Sequence, residues 1–265
     1  MLLGALHALD WHFKSQAGEL RKFATHFTLT SGNATLHGYS LTQTNARLTV
    51  IFIHGTPAQA GIWHAQFAKP FPAANLVAID RPGFGNSTPA LKRPGLEHQA
   101  DVLAALFTNT PPHGTILVGH SYGGPVALLA ALKHPDQISG VVLIGGSVDP
   151  AQEKTVLAQR IADWPVFAWL LPRSLRQCNR ELLTLRADLL KLQELIPTLR
   201  APVVMLHGGR DRQVPVANVA WLEHELASAG KGHLFTTLVY PDYSHFIPWE
   251  HPEAVEEAIS AALKK

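Results

Sequence analysis

The apolar positions of this chain gather into short unbroken runs separated by polar turns. Leu48-Thr49-Val50-Ile51-Phe52-Ile53 is one run and Leu76-Val77-Ala78-Ile79 the next. Thr115 to Val118, Ile138 to Ile144, Pro202 to Leu206 and Leu234 to Tyr240 follow at wider spacing. Runs of β-branched and aliphatic residues without polar alternation predict strands covered on both faces, as in parallel sheets. Upstream, Thr25 to Thr30 and Thr35 to Leu41 predict two strands joined at Ser31-Gly32-Asn33, a hairpin signal. Segments of helical period lie between the runs: about Ile62 to Phe67, Leu96 to Asn109, Tyr122 to His134, Ala217 to Ala229 and Pro252 to Leu263. Alternating strands and helices imply an α/β fold: a mostly parallel central sheet of about eight strands flanked by helices. In such sheets the site lies beyond the carboxyl ends of the strands.

One stretch breaks the alternation. From about Asp149 to Leu199 there are helices and no convincing strand, with Asp149-Pro150 and Ile196-Pro197 punctuating the two ends. At about fifty residues it is too long for a simple crossover helix. The expectation is a helical cap, residues 149–199, inserted into a core domain made of residues 1–148 and 200–265. The first residues, Met1 to Asp10, are mildly apolar but lack a basic start and a clear cleavage site, and are too short to span a bilayer. They read as the start of an amphipathic helix reaching roughly to Phe23, or as the remnant of a longer anchor.

Composition narrows the function classes. With 46% hydrophobic and 16% charged residues, the 265-residue chain suits a compact buried sheet rather than disorder. A formal net charge of +2 without a basic run leaves no electrostatic footprint for nucleic acid. The single cysteine, Cys178, excludes an internal disulfide framework and fits a reducing compartment, so a cytoplasmic location is expected. Cys178 itself reads as a small helix residue. There is no Gly-x-Gly-x-x-Gly on a strand–helix turn, no phosphate loop and no His-Glu-x-x-His, so no nucleotide cofactor and no metal is expected.

The chemistry concentrates at strand ends. Gly119-His120-Ser121-Tyr122-Gly123 places a serine between two glycines at a turn from strand to helix, the pattern of a nucleophile elbow. Strand and helix pass so close at such a turn that side chains at 119 and 123 would collide. The serine is expected in strained backbone geometry that lifts its hydroxyl over the sheet. The bland alternative is a serine that only caps the helix. His54-Gly55-Thr56-Pro57 follows the Leu48 to Ile53 strand, Asp211 follows the Pro202 to Leu206 strand, and His245 follows the last strand. The order is therefore serine, acid, histidine.

With these segments in view, the chain resembles the α/β-hydrolase fold family, in particular its capped esterase, lipase and epoxide-hydrolase-like group. The likeness runs from about Thr25 to the C-terminus. It rests on His54-Gly55-Thr56-Pro57, Asp80-Arg81-Pro82-Gly83-Phe84-Gly85-Asn86-Ser87, the elbow, Asp211-Arg212-Gln213-Val214-Pro215, and His245 with Pro252-Glu253. The resemblance implies a serine hydrolase cleaving carboxylic esters of small to medium acyl groups. Ser121 would attack, His245 would carry the proton, and Asp211 would orient the imidazole. The backbone N–H groups of Thr56 and Tyr122 would receive the oxyanion. A serine at this position argues against the dehalogenase and epoxide hydrolase chemistry of relatives that use aspartate. Lactonase, carbon–carbon bond hydrolase, perhydrolase and hydroxynitrile lyase chemistry remain alternatives, as does a ligand-binding receptor on a hydrolase scaffold. The expected partner is a small-molecule ester, with no nucleic acid and no transmembrane segment, in a monomer or small homo-oligomer.

Other residues carry blander expectations. Asp149, after the Ile138 to Ile144 strand, is the rival acid. Asp80 is expected to fix its own turn, His54 to brace the oxyanion loop, and His120 to pack beside the elbow. Trp164, Phe167, Trp169, Leu170 and Leu171 form an apolar patch expected mostly to pack the cap onto the sheet. Trp164, Phe167 and Phe246 are the candidates for the substrate pocket. Arg173, Arg176, Arg180 and Arg186 read as a solvated helix face partly balanced by Glu181 and Asp188.

Overall fold

The computed structural model describes residues 15–89, 94–107 and 114–264. The Met1 to Asp10 segment lies outside the described residues, as does the expected end of a helix at Asn109. Residues 15–20 are helical and bury Leu20.

Eight strands form one sheet: β1 (Thr25–Ser31), β2 (Ala34–Leu41), β3 (Leu48–Ile53), β4 (Ala74–Ile79), β5 (Thr115–His120), β6 (Ile138–Ile144), β7 (Val203–Gly208) and β8 (Phe235–Tyr240). Their spatial order is β1-β2-β4-β3-β5-β6-β7-β8. β1 and β2 form the expected antiparallel hairpin, and Gly32 turns it with φ +58°. β2 meets β4 antiparallel, and every later neighbour is parallel. The helices are α1 (His64–Ala68), α2 (Leu96–Phe107), α3 (Gly123–Lys133), α4 (Leu157–Ala162), α5 (Pro165–Ala168), α6 (Arg173–Leu195), α7 (Ala217–Ser228), α8 (Ile247–Glu250) and α9 (Pro252–Leu263). The helix expected over Ile62 to Phe67 is divided, with a 3₁₀ turn at Ala60–Trp63 leading into α1.

Side chains alternate across a strand, so each central strand feeds two cores. Ile51, Ile53, Leu117, Val141, Leu143 and Met205 face α2, α3, α6 and α7. Val50, Phe52, Ile116, Val118, Val142, Ile144, Val204 and Leu206 face Trp63, Phe67, Val255 and Ile259. This two-sided burial is why the central strands are unbroken apolar runs. Every residue of β5 and β7 is buried, whereas the edge strand β8 is half-exposed.

No strand lies between β6 and β7, and α4, α5 and α6 occupy that stretch. The later half of α6 contributes Leu185, Leu189 and Leu192 to the core cluster of α3. The earlier part departs from expectation. Trp164 is 61% exposed, Phe167 45% and Trp169 78%, and Leu170 is exposed as well. Helices of six and four residues present too short a face to reach back to the sheet; α4 buries nothing and α5 only Ala168.

Candidate active site

Ser121 sits between β5 and α3 with φ +55°, in the left-handed region that side chains rarely adopt. Its N–H donates to the Ile144 carbonyl at 2.9 Å, and its own carbonyl accepts from Gly124 N at 2.9 Å. A side chain at 119 would run into the Gly123 carbonyl, and one at 123 into the Ile53 carbonyl. The two glycines thus let α3 begin directly against β3 and β5.

Asp211 and His245 meet from the loops after β7 and β8. Asp211 Oδ1 accepts from Gln213 N and Val214 N, both at 2.8 Å, which pins the carboxylate. Its Oδ2 lies 2.6 Å from His245 Nδ1, which donates and leaves Nε2 as the ring's other nitrogen. Burial works to raise the Asp211 carboxyl. The His245 hydrogen bond, that ring's charge and the two N–H donors outweigh it, so its pKa lies below the ordinary value. The rival Asp149 is occupied elsewhere, accepting from Ala151 N at 2.8 Å and Gln152 Nε2 at 3.2 Å. A second imidazole, His207, lies 3.6 Å from Asp211 Oδ2 while its Nε2–H donates to the Val214 carbonyl at 3.1 Å. Sequence reading passed over His207, although its place at the end of β7, four residues before Asp211, was visible.

Ser121 and His245 line one cavity of about 420 Å³, together with Gly55, Thr56 and His120. Among the described residues Ser121 Oγ makes no hydrogen bond. Phe246 lines this cavity as expected; Trp164 and Phe167 do not, because their short helices turn them to solvent. Gln16, Ile62, Gln213 and Trp249 also line it and were not anticipated. Two of them, Gln213 and Trp249, sit within four residues of Asp211 and His245, which is the signal that could have found them. No group of three or more His, Cys, Asp or Glu among the described residues is placed to hold a metal ion.

The supporting residues behave largely as expected. Asp80 Oδ1 accepts from Ala60 N at 2.8 Å and Oδ2 from Asn86 N at 3.3 Å, so it fixes its own turn and the 3₁₀ turn beyond. His120 Nε2–H donates to the His245 carbonyl at 2.9 Å, and the two rings lie 4.6 Å apart. His54 accepts at Nε2 from Arg81 N at 2.9 Å, so the proton is on Nδ1, which donates to Gly55 O at 2.6 Å. The Tyr122 side chain is buried, away from the cavity, with its hydroxyl donating to Pro94 O at 3.2 Å.

Glu181 corrects the reading of α6. It does not balance solvated arginines but is fully buried, with its carboxylate bridging Arg81 Nη1 at 2.6 Å and Nη2 at 3.1 Å. Arg180 pairs instead with Asp163, and Asp188 accepts from Leu96 N. A bidentate pair satisfies both charges, whereas removing one partner of such a pair costs about 3–5 kcal/mol.

Residues 49–180 match the family model of the alpha/beta hydrolase fold. The chain is 29% identical over 216 residues to the dihydrolipoyllysine-residue acetyltransferase component of the acetoin cleaving system of Cupriavidus necator. That alignment covers 78% of this chain and 54% of the relative, so the chain spans about half the relative's length. It is 24% identical over 259 residues to a bifunctional esterase/perhydrolase of Acinetobacter calcoaceticus, covering 81% of this chain and 91% of the other. The solved haloalkane dehalogenase of Agrobacterium tumefaciens C58 shares the fold at TM-score 0.68 and 17% identity, over 91% of this chain and 96% of that one. No helix among the described residues is long and apolar enough to cross a membrane. With the family model matched over residues 49–180 and the eight-stranded, mostly parallel sheet shared with solved structures of this fold, the chain belongs to the α/β-hydrolase fold family and resembles its esterase- and lipase-like members.

Proposed function

We propose that this protein is a serine carboxylesterase acting on esters of small to medium acyl groups. The observation that supports this most is the 2.6 Å Asp211–His245 pair on the wall of the cavity that also holds Ser121. In this reading His245 Nε2 takes the hydroxyl proton as Ser121 Oγ bonds to the ester carbonyl carbon. The tetrahedral intermediate collapses, and the alcohol leaves with the proton from His245. Water then attacks the acyl-enzyme by the same route, releasing the acid and restoring the serine. Asp211 holds the imidazole tautomer and stabilises the imidazolium. The missing hydrogen bond at Ser121 Oγ fits this role, since such contacts often tighten only with substrate bound.

The oxyanion is assigned to the N–H groups of Thr56 and Tyr122, helped by the positive end of α3. Ile62, Phe246 and Trp249 give the cavity an apolar wall for the acyl chain, and its volume suits a small to medium ligand. Residues 149–199 are assigned as the cap. Turnover of nitrophenyl acyl esters and labelling by a serine-directed phosphonate test the assignment, with both expected to vanish in Ser121→Ala. Lactones and diketones in the same panel separate ester cleavage from the other reactions of the fold. No hydrolysis of any ester together with no labelling of Ser121 would refute it.

A further inference from the structure

The peptide between Gly55 and Thr56 is gripped at its oxygen. Gly55 O accepts from His54 Nδ1–H at 2.6 Å and from Arg81 Nη2–H at 3.0 Å. Arg81 Nε–H also donates to His54 O at 2.8 Å, so one guanidinium spans two successive carbonyls of this loop. Nη1 and Nη2 each also donate to the Glu181 carboxylate, and Gln99 Nε2 adds a 3.0 Å bond to Glu181 Oε1. The Phe84 and Tyr122 rings lie 4.8 and 4.7 Å from the guanidinium carbon. The group is therefore buried, charged and held from all sides.

Peptide geometry carries this to the cavity. Gly55–Thr56 is not among the cis bonds of the chain, so its N–H points away from its C=O. Donors that hold the Gly55 oxygen therefore also set the direction of the Thr56 N–H, on a residue that lines the cavity. Two hydrogen bonds to the oxygen further polarise the peptide and strengthen its N–H as a donor. Lysine could supply the charge but not the planar fork that meets a carboxylate and two carbonyls together.

We propose that Arg81 is a positioning residue for ester cleavage and that Glu181 sets Arg81, so that helix α6 aims the Thr56 N–H at the developing oxyanion. This rests on the assignment of Thr56 N–H as an oxyanion donor and adds how that donor is held and by which part of the chain. A purely structural ion pair would act differently. Replacing a buried pair with apolar residues of similar volume is often neutral for stability, and it would leave the rate of the folded enzyme unchanged.

The test compares wild type with Arg81→Met/Glu181→Leu and with Arg81→Lys, each checked for a cooperative thermal transition. The expected result is a fall in kcat of about 10²-fold, the cost typical of losing one oxyanion donor, with KM little changed. Affinity for a trifluoromethyl ketone, which adds to the serine as a charged tetrahedral adduct, should fall by the same factor. Should the double variant not fold, Arg81→Lys, which keeps a cation beside Glu181 but loses the planar fork, carries the same readout. Folded variants with wild-type kcat, or a loss confined to KM, would overturn the proposal. Wild-type protein without Ser121-dependent turnover would instead sink the esterase reading beneath it, and the proposal with it.

Discussion

Acidification below about pH 6.5 should destabilise this protein through its buried imidazoles. Three of the buried imidazoles have their pKa lowered by burial: His54, His120 and His207. Burial, helped by the neighbouring His245 ring and opposed by the hydrogen bond to the His245 carbonyl, lowers His120 to about 3. Burial and the Arg81 charge hold His54 well below the ordinary value, and burial lowers His207 despite its bond to Val214. In the unfolded chain all three return to about 6.5. Below that pH the unfolded chain binds protons that the folded one refuses, so stability is full above about pH 6.5 and falls as pH drops towards the folded values. Each group costs up to about 1.4 kcal/mol per pH unit, so His120 alone costs about 2 kcal/mol between pH 6.5 and 5. That is a sizeable share of the total stability of about 5–15 kcal/mol of an ordinary domain, and His54 and His207 act in the same direction. Urea titrations followed by tryptophan fluorescence across this range give the slope. His120→Gln keeps a donor for the His245 carbonyl and removes one titrating group, so its slope should flatten by up to one proton. A urea midpoint that stays flat from pH 8 to pH 5, or an unchanged slope in His120→Gln, would refute the reasoning.

Two further outcomes follow from the site. Asp211→Asn should lower kcat by about 10⁴ by releasing the His245 tautomer, while Asp149→Asn, whose side chain serves only its own turn, should leave kcat as it was; steady-state kinetics on one nitrophenyl ester decide between the two acids. Gly123→Ala drives a methyl group into the Ile53 carbonyl and should cost at least about 1–3 kcal/mol, read as a lowered thermal midpoint and reduced phosphonate labelling of whatever remains folded.

The sheet was legible because burial on both faces writes itself as continuous aliphatic runs. Ile138–Ile144 and Pro252–Leu263 match their expected bounds. β5 and β7 run one or two residues further, because ladder hydrogen bonds continue into positions such as His120 and Gly208, which have no aliphatic side chain to announce them. The elbow was legible for a steric reason, since only glycine fits where α3 meets β3 and β5. The aromatic stretch around Trp164 was misread because hydrophobicity marks what can be buried, not whether a partner arrives to bury it. Arg81 and Glu181 were hidden by distance: they lie 100 positions apart. A lone charge in a turn and another on a helix both look solvated until the fold sets them face to face.

β6 and β7 are direct neighbours, paired from Val141↔Val203 to Ile144↔Leu206. The sheet therefore closes whether or not a long excursion departs between them, and excursions of another length or shape could be exchanged there without shifting a single strand. The guanidinium of Arg81 limits that freedom. A transplanted excursion must arrive with its own anion at the place where Glu181 now stands, or else leave a naked cation sealed in the interior, so the interchangeable part of the molecule carries one obligation that its outline does not reveal.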